Sequence, residues 1–168
     1  MAGVIELELF SERHVPAVEA MLEDPAVLRF TRSPEPVPVN FATTWLERYA
    51  AARAEGTREA FAIVEDGEVL GLALAPTVNR EESTAELGYM VAPTARGRGV
   101  ATEGLRRLTE WAFGEGMLRL ELVISVENAA SKKVAERCGY VREGVLRNTY
   151  VKPGRREDTE IWSRLSTD

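Results

Sequence analysis

Residues 86–102 read Glu86-Leu87-Gly88-Tyr89-Met90-Val91-Ala92-Pro93-Thr94-Ala95-Arg96-Gly97-Arg98-Gly99-Val100-Ala101-Thr102. The spacing predicts a strand over 85–91 that runs into a glycine-rich turn and opens a helix. Such a turn gathers unpaired backbone N–H groups at the positive end of a helix dipole, a place suited to phosphate. Glycine at 97 and 99 lets the backbone approach a pyrophosphate closely, and Arg96 and Arg98 can add charge-assisted hydrogen bonds. The plainer reading is a turn that merely joins strand to helix.

Downstream of the turn, Leu105, Leu108, Trp111, Ala112 and Phe113 continue the helix, which stops near Gly114 and Gly116. A strand over 118–126 follows, then a helix begun by Asn128 and closed at Cys138-Gly139. Tyr140-Val141 starts another strand, Lys152-Pro153-Gly154-Arg155 reads as a tight turn, and 159–165 as the last strand.

Upstream, Asp66-Gly67 centres a hairpin signal between two apolar runs. The alternation over 4–9 predicts a half-buried strand, and 11–23 a short amphipathic helix that Asp24-Pro25 breaks. Prolines at 34, 36 and 38 stiffen a loop, after which Asn40 caps a helix carrying Phe41, Thr44, Trp45 and Tyr49 and ending near Gly56. The element order describes one α/β layer domain over 1–168 with a mixed sheet.

The chain has 168 residues, one cysteine, one histidine and a formal net charge of −6. Cys138 alone closes no intramolecular disulfide and His14 has no second histidine to ligate with, so disulfide scaffolds, zinc sites and His-dependent triads are excluded. The acidic start lacks a signal-peptide pattern, and no window approaches the ~18 apolar residues of a membrane span. A cytoplasmic protein is expected. The negative balance disfavours nucleic acid and anionic membranes as partners.

Two readings compete for the turn. Gly97-x-Gly99-x-x-Thr102 is one residue from a dinucleotide fingerprint, with Glu121 near the distance of a ribose ligand, which would make the chain an NAD(P)-dependent oxidoreductase. A hairpin precedes it, however, where repeated βαβ units would be needed. The second reading joins separated motifs. Arg96-x-x-Gly99-x-Ala101 resembles the coenzyme A motif of the GNAT superfamily of N-acetyltransferases. Asn128-Ala129-Ala130-Ser131 and Ala135-Glu136-Arg137-Cys138-Gly139-Tyr140 resemble its RimJ/RimL-like, ribosomal-protein-acetylating branch.

The resemblance covers roughly 60–165 and implies a mixed, mostly antiparallel sheet of about six to seven strands. Helices would lie on both faces, and the sheet would be splayed at the central cofactor strands. It implies acetyl-CoA as donor, no metal, and direct transfer of acetyl to an amine acceptor, a protein N-terminus or a small molecule. Arg96, Gly97, Arg98, Gly99, Val100, Ala101 and Thr102 would cradle the pyrophosphate. Met90 and Val91 would pair their main chain with the pantetheine arm, and Asn128 would hold it from the other side.

Many relatives carry a tyrosine on the helix after the Asn to protonate the departing thiolate; the matching position here is Ala135. Ser131 is the substitute, touching the sulfur, and Glu86 is the preferred general base, with Glu121 and Tyr150 as rivals. The acceptor would enter at 30–41 and Trp45. Homodimerisation is implied by resemblance alone, and a catalytically silent CoA-binding module remains a third reading. Of the remaining residues, Trp111 and Phe113 are expected to pack in the core and Cys138 to be buried. His14 is expected at the surface and 155–158 at a solvated hairpin tip.

Overall fold

The computed structural model describes residues 3–168. Its strands are β1 (Ile5–Leu9), β2 (Glu59–Glu65), β3 (Glu68–Asn79), β4 (Thr84–Val91), β5 (Arg119–Ser125), β6 (Val141–Lys152) and β7 (Arg155–Leu165). They form one sheet in the order β1-β2-β3-β4-β5-β7-β6, antiparallel throughout except where β4 meets β5. The helices are α1 (Val15–Met21), α2 (Pro25–Phe30), α3 (Phe41–Glu55), α4 (Val100–Gly114) and α5 (Ala129–Arg137). The mixed, mostly antiparallel sheet is the architecture that the resemblance implied.

Strand β2 is buried along nearly its whole length because both faces of the sheet are covered. Phe61 and Ile63 join the apolar cluster under α4 and α5, with Leu105, Leu108, Val134 and Ala135. Ala60, Ala62 and Val64 join the opposite cluster with Val18 and Met21 of α1 and Tyr49 of α3. Asp66 and Gly67 both adopt positive φ, as the two-residue hairpin between β2 and β3 requires. Trp111 packs edge-on against Phe61, and Cys138 is buried. No helix among the described residues is long and apolar enough to cross a membrane.

Three local expectations are corrected. Asp24-Pro25 does not only end a helix. Asp24 accepts a hydrogen bond from the Val27 amide at 3.0 Å and caps α2, with proline in the first turn, where its missing N–H costs nothing. Residues 155–158 are a solvated tip only in part, with Arg155 and Arg156 exposed beside the turn and Glu157 and Asp158 half-buried. They begin β7, and Glu157 is paired with Arg29 and Arg155 and accepts from Ser125 Oγ at 3.0 Å.

His14 is not at the surface but 1 % exposed. Its Nδ1 accepts from the Ser11 amide at 3.0 Å, which leaves the proton on Nε2, 3.2 Å from Glu8 Oε2. Burial outweighs the Glu8 carboxylate and pushes the imidazole below its ordinary pKa. The sign follows: below about pH 6.5 the unfolded chain binds a proton that the folded chain resists, so stability falls as pH falls. His14 is the one histidine of the chain. Wild-type Tm is therefore expected to drop from about pH 7.5 to about pH 5.5, and His14→Gln to flatten that drop; equal slopes in the two proteins would refute the assignment.

Candidate active site

Strands β4 and β5 pair at three positions, Thr84 with Arg119, Ala85 with Leu120 and Glu86 with Glu121. β4 continues to Val91 and β5 to Ser125, so beyond Glu86 the two strands part. From Leu87 onward β4 keeps β3 on one edge and has no strand on the other. A cavity of about 430 Å³ occupies this wedge, floored by Leu87, Gly88, Met90, Leu122 and Ile124. An open strand edge at a cavity offers N–H and C=O groups to any ligand with amides of its own.

At the far end of β4 the turn before α4 supplies a second kind of donor. Gly97 and Gly99 lie at φ +73° and +77°, and a Cβ at either position would point into open space. Among the described residues, the amides of Gly97 to Thr102 donate to no protein acceptor. They are the first-turn donors of a 15-residue helix. Arg96 is ion-paired with Asp24 and Arg98 with Glu65.

On the β5 side, Asn128 caps α5: its Oδ1 accepts from the Ser131 amide at 3.1 Å. That fixes its Nδ2 to donate to Ser131 Oγ, at 3.1 Å. Tyr89, on β4, donates its hydroxyl to the same Oγ at 3.0 Å. A serine oxygen accepts two hydrogen bonds and donates one. With both acceptor positions filled, the Ser131 proton is the one valence left, and Ser131 lines the cavity. Burial pushes the Tyr89 phenol up to about 12, so it keeps its proton at neutral pH and remains a donor.

The opposite end of the cavity is walled by α3 and the segment after α2. Phe41, Trp45 and Tyr49 form a run with ring centroids 5.6 and 6.0 Å apart. Glu86 projects toward them, 24 % exposed, with Arg32 Nη2 2.7 Å from its Oε1. The segment is held from β6. Tyr150 donates its hydroxyl to the Arg29 and Thr31 carbonyls, both at 2.9 Å, and the buried Lys152 ammonium donates to the Ser33 carbonyl at 2.7 Å.

A forked parallel pair, a glycine turn with free amides and a capped serine at the fork are the features of a site for an extended, phosphate-bearing thioester. Residues 5–141 match the acetyltransferase (GNAT) domain along their whole length. The chain belongs to the GNAT acetyltransferase family. It is an acetyl-CoA-dependent N-acetyltransferase, and its acceptor is an amine. A Bacillus licheniformis protein named uncharacterized N-acetyltransferase p20 is 26 % identical over 148 residues, 86 % of this chain and 83 % of that protein. The ribosomal-protein-serine acetyltransferase of Escherichia coli is 26 % identical over 66 % of this chain and 62 % of its own. The structure of Mycobacterium smegmatis RimJ in complex with CoA-disulfide superposes with a TM-score of 0.89 at 24 % identity, covering 98 % of this chain and 83 % of that one. The oxidoreductase reading of Gly97-x-Gly99-x-x-Thr102 is thereby overturned.

Within this GNAT fold Glu86, Met90, Asn128 and Ser131 line the same cavity, and Val91 lies on the unpartnered stretch of β4. Arg96 to Thr102 form the turn at its end. The rival Glu121 stays out of the cavity, paired with Arg119 at 2.8 Å. Tyr150 lines it but holds the acceptor-side segment. Tyr89 was missed. Its signal was the period-two pattern that sets it with Ala85 and Leu87 toward α4 and α5, the side from which Ser131 approaches.

Proposed function

We propose that this GNAT enzyme carries out direct transfer within a ternary complex, with Glu86 as general base and Ser131 as the group that meets the sulfur. The observation that supports this most is the double donation into Ser131 Oγ, which leaves its proton free toward the cavity. Bound acetyl-CoA supplies the acyl group as a thioester. The chain's own residues do the rest. The unpartnered edge at Met90 and Val91 holds the pantetheine amides, with Asn128 opposite. The free amides from Gly97 to Thr102, Val100 and Ala101 among them, hold the pyrophosphate. Arg96 and Arg98 join them by exchanging Asp24 and Glu65, partners in exposed pairs that are weakly held.

Transfer forms one C–N bond and breaks one C–S bond; the amine gives up a proton and the sulfur takes one. An amine attacks only when neutral, and Glu86 on the acceptor side accepts its proton directly or through one water. Ser131 donates to the sulfur as charge develops there. The acceptor is a protein N-terminus or a small amine. The reading treats 1–168 as one acyltransferase domain, supported by a single sheet through all seven strands. A cytoplasmic setting fits the lone buried thiol of Cys138. A homodimer is supported by Val145, Leu146 and Val151, exposed on the edge strand β6, and light scattering tests it.

Acetyl-CoA and CoA, at about 100 times Kd, are expected to stabilise the protein by ~2.7 kcal/mol in thermal-shift titrations, with NAD(P)H inert. A response to NAD(P)H instead would reject the cradle. Release of free thiol with an amine panel then measures transfer.

A further inference from the structure

Arg32 and Glu86 are the two charged side chains among the residues that line the cavity, and they meet each other at 2.7 Å. Glu86 comes from the floor and is mostly covered. The Arg32 head is 61 % exposed at the rim. Its backbone, however, is placed. The carbonyl before it, on Thr31, accepts from Tyr150, and its neighbour Ser33 accepts from Lys152. Arg32 therefore stands between two anchored residues and reaches over the cavity. Phe41, Trp45 and Tyr49 form the apolar wall beside the pair.

An acceptor amine that takes Glu86 as its partner competes with Arg32 for the carboxylate. If the acceptor carries only positive charge, the guanidinium loses its partner and repels the incoming ligand; a polyamine also finds one carboxylate for its several ammonium groups. A molecule with both charges close together leaves no charge unmatched. Its amine meets Glu86, its anion takes the guanidinium fork in two parallel hydrogen bonds, and one internal ion pair is exchanged for two. We propose that the acceptor is a small zwitterion, an amino acid whose apolar or aromatic side chain rests on Phe41, Trp45 and Tyr49, with Arg32 as the carboxylate-binding residue. This rests on the acyltransferase reading with Glu86 in the acceptor site.

The test compares L-phenylalanine, L-phenylalaninamide, phenethylamine and spermidine as acceptors, by acetyl-CoA-dependent release of free thiol. The amide has the less basic amine and more free base at neutral pH, so a preference for the acid runs against intrinsic reactivity. The expected result is at least a tenfold higher kcat/KM for the acid than for the amide, expressed in KM. Arg32→Gln should bring that ratio toward one, and Arg32→Lys should restore part of it, because the charge remains while the fork is lost. Equal or better use of the amide or of spermidine by the wild type overturns the proposal while leaving the acyltransferase reading in place. So does a ratio that Arg32→Gln leaves unchanged. No turnover with any of the four amines, in a protein that binds acetyl-CoA, overturns both.

Discussion

Ser131→Ala is expected to lower kcat by about 100-fold while leaving the Kd for acetyl-CoA within about a factor of two. The magnitude follows from removal of one preorganised donor aimed at developing charge. The selectivity follows from the hydroxyl's place, at the fork between β4 and β5 and away from the amides of the glycine turn. Tyr89→Phe keeps the ring in the core and removes the donor that occupies one acceptor position of Ser131 Oγ. Freed of that partner, the serine hydroxyl can turn its proton away from the sulfur, and kcat should fall by about tenfold. The two substitutions act on one bond, so Tyr89→Phe in the Ser131→Ala background should cost nothing further. Tyr89 is thus a positioning residue. Additive losses would show that it acts through the core instead, and an unchanged rate for Ser131→Ala would remove the serine from the reaction. Tm is followed alongside, since the buried Tyr89 hydroxyl without an acceptor costs about 1–3 kcal/mol.

Glu86→Gln is expected to lower kcat/KM by 10²–10³-fold, about the contribution of a positioned base, with the loss smaller at alkaline pH. The sign follows from the proton on the acceptor. With the carboxylate in place, the amine is deprotonated as it reacts. With glutamine, only amine already neutral in solution reacts, so the alkaline rise moves toward the acceptor's own pKa, ~8 for an α-amine and ~10.4 for a lysine-like amine. Glutamine has the shape of glutamate, and its amide oxygen can face the Arg32 guanidinium where the carboxylate now does, which keeps the rim close to its present shape. A pH profile parallel to that of the wild type would exclude Glu86 as base.

The parts of this molecule legible in its sequence are those with local causes. Gly97 and Gly99 take the positive φ that their residue type permits, and Asp66-Gly67 makes the hairpin its composition predicts. Asn128 both caps α5 and lines the cavity, because a cap uses one side-chain oxygen and leaves the amide nitrogen to donate to Ser131 Oγ. What stayed hidden depends on residues far apart in the chain. Asp24-Pro25 carries a stop and a start signal at once, and the burial of Val27 against the sheet resolves it toward a helix. His14 is drawn inside by Glu8 on the preceding strand, an arrangement that periodicity does not encode. Tyr89 and Ser131 stand 42 residues apart and meet because the fork brings α5 over β4. The Arg32–Glu86 pair likewise needs the segment after α2 to cross the cavity.

The tethers from Tyr150 and Lys152 to the segment around Arg32 join positions 119 to 121 residues apart. For protein engineering this makes two distant stretches a single exchangeable cassette. A chimera that imports a foreign loop between α2 and α3 without its matching β6 strands the Lys152 ammonium and the Tyr150 hydroxyl in the interior. One that moves the two stretches together carries the shape of the acceptor pocket with it and leaves the glycine turn of the donor end undisturbed.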